Sequence, residues 1–321
     1  MPTKKNNTTK TFVALFVILI SSINTNQLSA QDKIGVLVLA HGSPQTTWDN
    51  AIENSIKPIK KKYTTEIAFG MANPISMQSA IDKLERKGVD TIIVVQLFVS
   101  SYSPIIRQNE YLLGLRDSLT DAPMLMMHHA MAKTSMEGNE GKTHHNSQPQ
   151  ELAQLDIKTH IILTKPLDDH ALVADILFDR IQALSKNPSN ETVLIVAHGP
   201  NSADDNEKWV SVIESLSNQI KRKQALKGQG FKDIKGLTVR DDADPEIYEK
   251  AKQSFRNEVI KADEKGDAIV IPLLLSQGGV ESRYLKRLEG LNFIWSGETL
   301  LPHPKVSEFI KLRVENALSQ E

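Results

Sequence analysis

Uninterrupted apolar runs recur along most of this chain, separated by segments of mixed polarity. The clearest runs are Ile34 to Ala40, Thr91 to Val99, Thr192 to Ala197 and Ala268 to Leu275. Runs of this length, rich in β-branched residues, predict strands that are buried on both faces. Strands that alternate with helices are typical of parallel sheets with right-handed crossovers.

The segments between these runs have the spacing of amphipathic helices, with apolar residues three or four positions apart. The predicted helices are 47–62, 76–87, 172–184, 209–223, 245–262 and 306–318, and further strands are predicted at 66–72 and 234–239. The order of elements predicts an α/β protein. We expect two similar, doubly wound parallel-sheet halves with a cleft between them.

The same phrase, Ala-His-Gly, ends the first predicted strand of each half, at His41 and at His198. The glycine lets the backbone turn sharply, and ligands of open α/β sheets bind at the carboxyl ends of the strands. A second pair recurs at equal spacing, His170 with Arg180 and His303 with Arg313. These recurrences predict an internal duplication. We expect His170 and His303 either to close the sheet edge or to pack at helix starts.

The chain divides at the sequence level into three parts. Residues 1–30 have a lysine-rich start, a short apolar core and small residues before Ala30, which predicts a signal peptide cleaved after Ala30. The alternative is an uncleaved anchor, but the apolar core is short for a membrane span. We therefore expect an exported protein, periplasmic or secreted, without stable membrane insertion after cleavage. The two halves are expected at 31–186 and 187–321.

An insertion at about 124–155 interrupts the first half. It is rich in methionine and histidine: Met124, Met126, Met127, His128, His129, Met131, Met136, His144 and His145. No helix or strand period is apparent, so the sequence predicts a mobile loop. Thioether and imidazole groups also bind copper and other transition metals, so metal collection is the alternative.

Charge and cysteine content exclude several classes of protein. The formal net charge of -1 gives no electrostatic footprint for a nucleic-acid partner. The absence of cysteine excludes disulfides and lipoprotein processing. Nothing in the sequence indicates a protein partner.

His41 and His198 are the leading candidates for chemistry. A neutral imidazole binds transition metals, and it accepts a proton near neutral pH. The alternative is that each histidine only ends a strand and hydrogen-bonds the backbone. The arginines near the strand ends could pair with carboxylates of a ligand or are solvated surface charges: Arg107, Arg240, Arg283 and Arg287. The loop aspartates could attract cations, or they lie in turns and helix N-caps: Asp204, Asp205, Asp241, Asp242 and Asp244.

The order of these motifs resembles the class II tetrapyrrole chelatases, the sirohydrochlorin cobaltochelatases and ferrochelatases among them. The resemblance is carried by the AHGS-type strand end, the duplicated halves, the apolar third strand with its Ser/Gly loop, and the closing Pro-His-Pro element before a helix. It implies a cleft that binds a planar, carboxylate-rich macrocycle, into which a divalent metal is inserted. The metal is a substrate, cobalt or iron with nickel or zinc as alternatives, and no organic cofactor is implied. The implied macrocycle contacts are Ser43, Ser100, Ser276, Gly278 and Gly279.

The family's second histidine, a few residues after the third strand, is absent from both halves. Val280 stands at the expected position, and Glu281 follows it in what we expect to be a strand-like stretch. The catalytic candidates are therefore His41, His198 and Glu281, with the two histidines as metal ligands.

Two other functions are open on the sequence. One is an exported, non-catalytic metal- or tetrapyrrole-binding protein of the same fold, which the missing histidine favours. The other is a hydrolase or phosphatase that uses His41, but the chain has neither a G-x-S-x-G elbow nor a P-loop.

Overall fold

Two parallel sheets, one from each half of the sequence, organise the chain. The computed structural model describes residues 33–43, 46–119, 121, 152–228 and 230–319. The expected signal peptide and nearly all of the Met/His insertion lie outside these residues, so both remain predictions. Within the described residues, no helix is long and apolar enough to cross a membrane.

The first sheet has the strand order β2-β1-β3-β4, with every pair parallel. The elements of this half are β1 (Ile34–Ala40), α1 (Thr46–Lys60), β2 (Thr64–Phe69), α2 (Pro74–Arg86), β3 (Thr91–Leu97), α3 (Pro104–Leu112), β4 (His160–Leu163) and α4 (Ala171–Leu184).

The second sheet has the order β6-β5-β7, also parallel throughout. Its elements are β5 (Glu191–Ala197), α5 (Ala203–Ala225), β6 (Asp233–Thr238), α6 (Pro245–Asp263), β7 (Asp267–Leu273), α7 (Val280–Arg287) and α8 (Pro304–Leu318). Helices cover both faces of each sheet, which confirms the predicted α/β class and its two doubly wound parallel sheets.

Alternate residues of each central strand enter different hydrophobic cores. In β1, Val36 and Val38 face an inner core between the sheets, and Leu37 and Leu39 face an outer core under α2 and α3. In β5 the odd-numbered residues face the same inner core, and the even-numbered ones face α6 and α7. Because both faces are buried, the strands appear in the sequence as unbroken apolar runs.

The closing helix of each half packs on the sheet of the other half. Helix α4 contacts β7 and α5, whereas α8 contacts β3 and α1. The inner core is therefore shared and crosses the expected boundary at residue 186. Each half depends on a helix from the other to bury its inner face.

Equivalent arginines tie these crossing helices together. Arg180 of α4 donates from Nε to the carbonyl oxygen of Thr299 at 3.1 Å, and Arg313 of α8 donates to that of Pro166 at 2.8 Å. Thr299 and Pro166 each lie just before the opposite crossing helix. The recurrence in the sequence thus corresponds to the same hydrogen bond made once in each direction.

His170 and His303 are the N-caps of α4 and α8. The Nδ1 atom of His170 accepts the Leu172 amide at 3.2 Å, and that of His303 accepts the Lys305 amide at 3.2 Å. The imidazole must be neutral at Nδ1 to accept these hydrogen bonds. Burial lowers the pKa of both histidines, which favours that neutral form.

Three elements were missed or wrongly expected from the sequence. Helix α3 was missed because polar residues on its buried face, Gln108 and Asn109, interrupt the apolar period. Gln108 Nε2 donates to Ala72 O at 2.8 Å, and Asn109 Nδ2 donates to Gln96 Oε1 at 3.1 Å. Strand β4 is short and lies at a sheet edge. The stretch expected to be strand-like at Val280 and Glu281 is instead the first turn of α7.

The last four residues of the predicted loop, 152–155, are among the described residues. Leu155 donates its amide to Leu112 O at 2.9 Å, and Tyr111 Oη donates to Leu152 O at 2.7 Å. Residues from Leu152 onward therefore pack against the outer core of the first sheet.

The two histidine caps make the free energy of unfolding depend on pH. Their pKa values are lower in the folded than in the unfolded protein, so the unfolded chain takes up protons first as the pH falls through about 6.5. Stability should be full above that pH and decline below it. In urea denaturation at about pH 7.5 and about pH 5, the His170→Asn/His303→Asn variant should lose less stability than wild type, since Asn caps without titrating. Equal losses would contradict this role.

Candidate functional site

The candidate residues lie at the carboxyl ends of the central strands. His41 follows β1 and His198 follows β5, and each of these strands lies between its two neighbours in the sheet. In open α/β sheets the crossovers leave such a strand toward opposite faces, and its carboxyl end is the usual place for a ligand.

Both imidazoles are held by the same local hydrogen bond. His198 Nδ1 lies 2.9 Å from Gly199 O, and His41 Nδ1 lies 2.6 Å from Gly42 O. A carbonyl oxygen only accepts, so Nδ1 carries the proton in both rings. In the neutral imidazole the lone pair is then on Nε2, the atom that binds a metal or a proton.

A carboxylate faces this lone pair in the second half. Asp242 Oδ2 lies 3.3 Å from His198 Nε2, with the two side chains 42% and 28% exposed. With Nδ1 protonated and the ring neutral, two acceptors oppose each other across this gap. A cation between them, either a proton or a metal ion, would stabilise the arrangement.

The turn that carries Asp242 is tied directly to His198. The Arg240 amide donates to His198 O at 2.7 Å, and Arg240 Nε donates to Pro200 O at 3.1 Å. Arg240 adopts φ of +50°, a left-handed conformation that is strained for a non-glycine residue. Such strain persists only where the surrounding contacts fix the backbone on both sides.

The His41 end is lined by residues of both halves. Trp48 Nε1 donates to His41 O at 2.5 Å, and the two rings meet edge to face with centroids 6.0 Å apart. A Cβ added to Gly278 would lie 2.9 Å from the Trp48 ring and 3.5 Å from Ser43 Oγ. The loop after β7 therefore lies directly against the end of β1.

The loop after β3 makes the reciprocal approach to the second half. Trp209 Nε1, on α5, donates to Tyr102 O at 2.6 Å. Arg107 of α3 pairs with Asp205 of α5 at 2.9 Å and with Asp121 at 2.6 Å. Hydrogen bonds to Asp121 and Asp205 raise the pKa of Arg107 and hold it as the charged guanidinium, so Arg107 is an internal ion-pair link between the halves.

Several other predicted site residues stabilise the loops themselves. Ser100 is buried and its Oγ accepts the Tyr102 amide at 3.2 Å, and Ser276 is also buried. The Glu281 carboxylate accepts the amides of Gly279 at 3.1 Å and Gly278 at 3.3 Å. Contacts of these residues with a macrocycle, and a catalytic role of Glu281, stay predictions.

Sequence reasoning missed the importance of Asp242, Trp48 and Trp209. Asp242 was one of several loop aspartates, and its position just after a second strand was the available signal. Within the part of the chain that the structure describes, no group of three or more His, Cys, Asp or Glu could hold a metal. His198 and Asp242 therefore form a two-residue pair.

Comparison with known proteins agrees with this architecture. Residues 35–103, which include His41, Ser43 and Ser100, match the CbiX family model. No curated protein sequence matches the chain.

Solved structures give matches over most of the chain. SirB from Bacillus subtilis with Fe3+ has a TM-score of 0.54 and 17% identity, covering 89% of this chain and 95% of its own. The sirohydrochlorin chelatase SirB from Bacillus subtilis subspecies spizizenii, in complex with cobalt, has a TM-score of 0.54 and 13% identity over 89% and 96%. CbiX, described as the terminal enzyme of siroheme biosynthesis in denitrifying bacteria, has a TM-score of 0.50 and 14% identity over 88% and 99%.

The resemblance to the class II tetrapyrrole chelatases is thus confirmed, by sequence over residues 35–103 and by fold over most of the chain. In particular, the segment 35–103 is CbiX-like, and identities this low establish the fold alone for the remainder.

The two Ala-His-Gly glycines should respond differently to substitution. Gly199 has φ of +74°, and a Cβ there would lie 2.6 Å from Thr238 Cβ, whereas a Cβ on Gly42 would meet only ordinary contacts at 3.5 Å. Gly199→Ala should therefore lower the free energy of unfolding by about 1–3 kcal/mol. Gly42→Ala, its matched control, should change it by much less. Urea denaturation of both variants measures this, and equal effects would show that the two turns are equally constrained.

Proposed function

We propose that the protein inserts a divalent metal ion, cobalt or iron, into a sirohydrochlorin-type tetrapyrrole. We assign the metal and proton site to His198 and Asp242. The observation that carries this assignment is the 3.3 Å gap between His198 Nε2 and Asp242 Oδ2, with Nδ1 already occupied by Gly199 O. Support for the reaction class comes from the CbiX family match and from the sirohydrochlorin chelatases of the same fold.

The gap has the size expected for two ligands of one metal ion. Nitrogen and oxygen ligands lie about 2.0–2.1 Å from a tetrahedral divalent ion, which puts them about 3.3 Å apart. Among the described residues, two protein ligands would hold the ion, and both are partly exposed. Such a site binds weakly enough to release the metal to the four ring nitrogens.

The same two groups would accept the protons that chelation releases. Insertion exchanges one divalent ion for two pyrrole protons, so two acceptors are needed once the metal has left. His198 Nε2 takes one proton and the Asp242 carboxylate takes the other. Because Asp242 is 42% exposed, it can return its proton directly to solvent.

We assign the site to His198 because the Asp242 carboxylate faces its Nε2. Trp48 and Gly278 pack beside His41, an environment better suited to contact with a flat macrocycle. We therefore retain His41 as a second candidate ligand, and Ser43 and Gly278 as candidate macrocycle contacts.

The rival function is a non-catalytic carrier of metal or tetrapyrrole. It is favoured by Val280 at the position of the family's second histidine, and by the predicted export of the chain. A carrier and a chelatase would both bind metal at His198, so only turnover separates them.

Chelatase activity is tested by mixing purified protein with cobalt and sirohydrochlorin and following the absorption change of the macrocycle. Wild type should accelerate insertion over the free reaction. His198→Gln should lower the rate by about 100-fold or more, and Asp242→Asn by about 10-fold or more, because each removes a ligand and a proton acceptor. His160→Gln, at the first residue of edge strand β4, is the matched histidine control and should leave the rate unchanged.

The outcomes separate the two functions and the two halves. No acceleration by wild type, with cobalt or macrocycle still bound, would overturn the chelatase proposal in favour of a carrier. A loss of rate in His41→Gln but not in His198→Gln would overturn the assignment to the second half.

A further inference from the structure

We infer that Asp241 and Arg287 are a positioning pair: they fix Asp242 against His198 without touching the metal themselves. This inference rests on the proposed metal site at His198 and Asp242. It assigns a role to two buried charges that lie next to that site and outside its ligand set.

Arg287 anchors the chain on both sides of Arg240. This arginine is the last residue of α7, and its side chain and that of Asp241 are each only 2% exposed. Its Nη2 donates to the Asp241 carboxylate, and its Nη1 donates to Val239 O at 2.8 Å. The guanidinium also lies 4.0 Å from the centre of the Tyr248 ring. The backbone immediately before Asp242 is thus fixed to a buried helix end.

The strained residue Arg240 carries this constraint to His198. It lies between the two points that Arg287 holds, at φ of +50°, and its amide donates to His198 O at 2.7 Å. A left-handed non-glycine residue relaxes when its neighbours are released. Without the anchor, the turn would therefore open and Asp242 would leave Nε2.

Stability alone does not account for the pair. A buried ion pair is commonly no more stabilising than apolar residues of similar volume. Here two atoms of the pair also lack a hydrogen bond: among the described residues, Asp241 Oδ2 and Arg287 Nε have no hydrogen-bond partner, and Asp241 Oδ2 has a longer ion pair with Arg283 Nη1 at 3.8 Å. The pair instead fixes the direction of the turn that carries Asp242. The planar guanidinium of Arg287 hydrogen-bonds the Asp241 carboxylate and Val239 O in one plane.

The test measures cobalt binding by the visible absorption of Co2+, with His198→Gln defining the signal from other sites. Asp241→Leu/Arg287→Met removes both charges together, so the fold should be kept, as circular dichroism and thermal unfolding would verify. We expect the His198-dependent cobalt affinity to fall by about 10-fold or more, the range seen when outer-shell partners of metal ligands are lost. The absorption should also weaken as Asp242 is replaced by water.

The matched control is Lys235→Met/Glu258→Leu, which removes another ion pair between β6 and α6. It leaves residues 239–242 intact and should keep the wild-type affinity and spectrum. If the double variant at 241 and 287 does not fold, Arg287→Lys carries the test. It keeps the charge but cannot bond Asp241 and Val239 O in one plane, and should also weaken binding.

The outcomes distinguish this inference from the proposed function. A folded Asp241→Leu/Arg287→Met variant, or Arg287→Lys, with unchanged affinity and spectrum would overturn the positioning role and leave the metal site standing. Wild-type protein with no more bound cobalt than His198→Gln would overturn the metal site, and the positioning role with it.

Discussion

The need of each parallel sheet for cover on both faces is the constraint on which the rest of the structure depends. Strands buried on both sides cannot leave an apolar face in water. In this chain, α4 covers the second sheet and α8 covers the first, so the inner core is common to both. Arg180 of α4 and Arg313 of α8 stabilise this arrangement. Each donates a hydrogen bond to a backbone carbonyl just before the other helix. The strand ends of the two halves are consequently held in one rigid frame.

This shared core explains why loops of one half contact the carboxyl ends of the central strands in the other half. The loop after β7 lies against Trp48, and the loop after β3 lies against Trp209. The repeated Ala-His-Gly phrase gives the same imidazole hydrogen bond twice but different surroundings. His198 faces the Asp242 carboxylate, and His41 meets the Trp48 indole ring edge to face. The repeated phrase thus gives the imidazole the same hydrogen bond twice, and the neighbouring loops give it different surroundings.

Much of this fold could be predicted from the sequence because burial leaves a clear period. The apolar runs of β1, β3, β5 and β7 and the longer amphipathic helices were found within a few residues of their observed bounds, except that α5 begins at Ala203 rather than 209. Helix α3 was missed because its buried face includes amides that satisfy each other and the backbone.

The partner of His198 could not be predicted because it depends on strand register. Parallel pairing sets Ala197 beside Thr238, so the residues that follow β5 and β6 emerge together. The sequence indicates where β5 and β6 end, but not which residue of the turn after β6 faces His198. That choice is made by the left-handed Arg240 and by the buried contact of Asp241 with Arg287.

The most direct test of this account is anomalous diffraction at the cobalt absorption edge from crystals soaked in Co2+. The account predicts a peak about 2.0–2.2 Å from both His198 Nε2 and a carboxylate oxygen of Asp242. A peak beside His41 or within the Met/His segment 124–155, with none at His198, would contradict it.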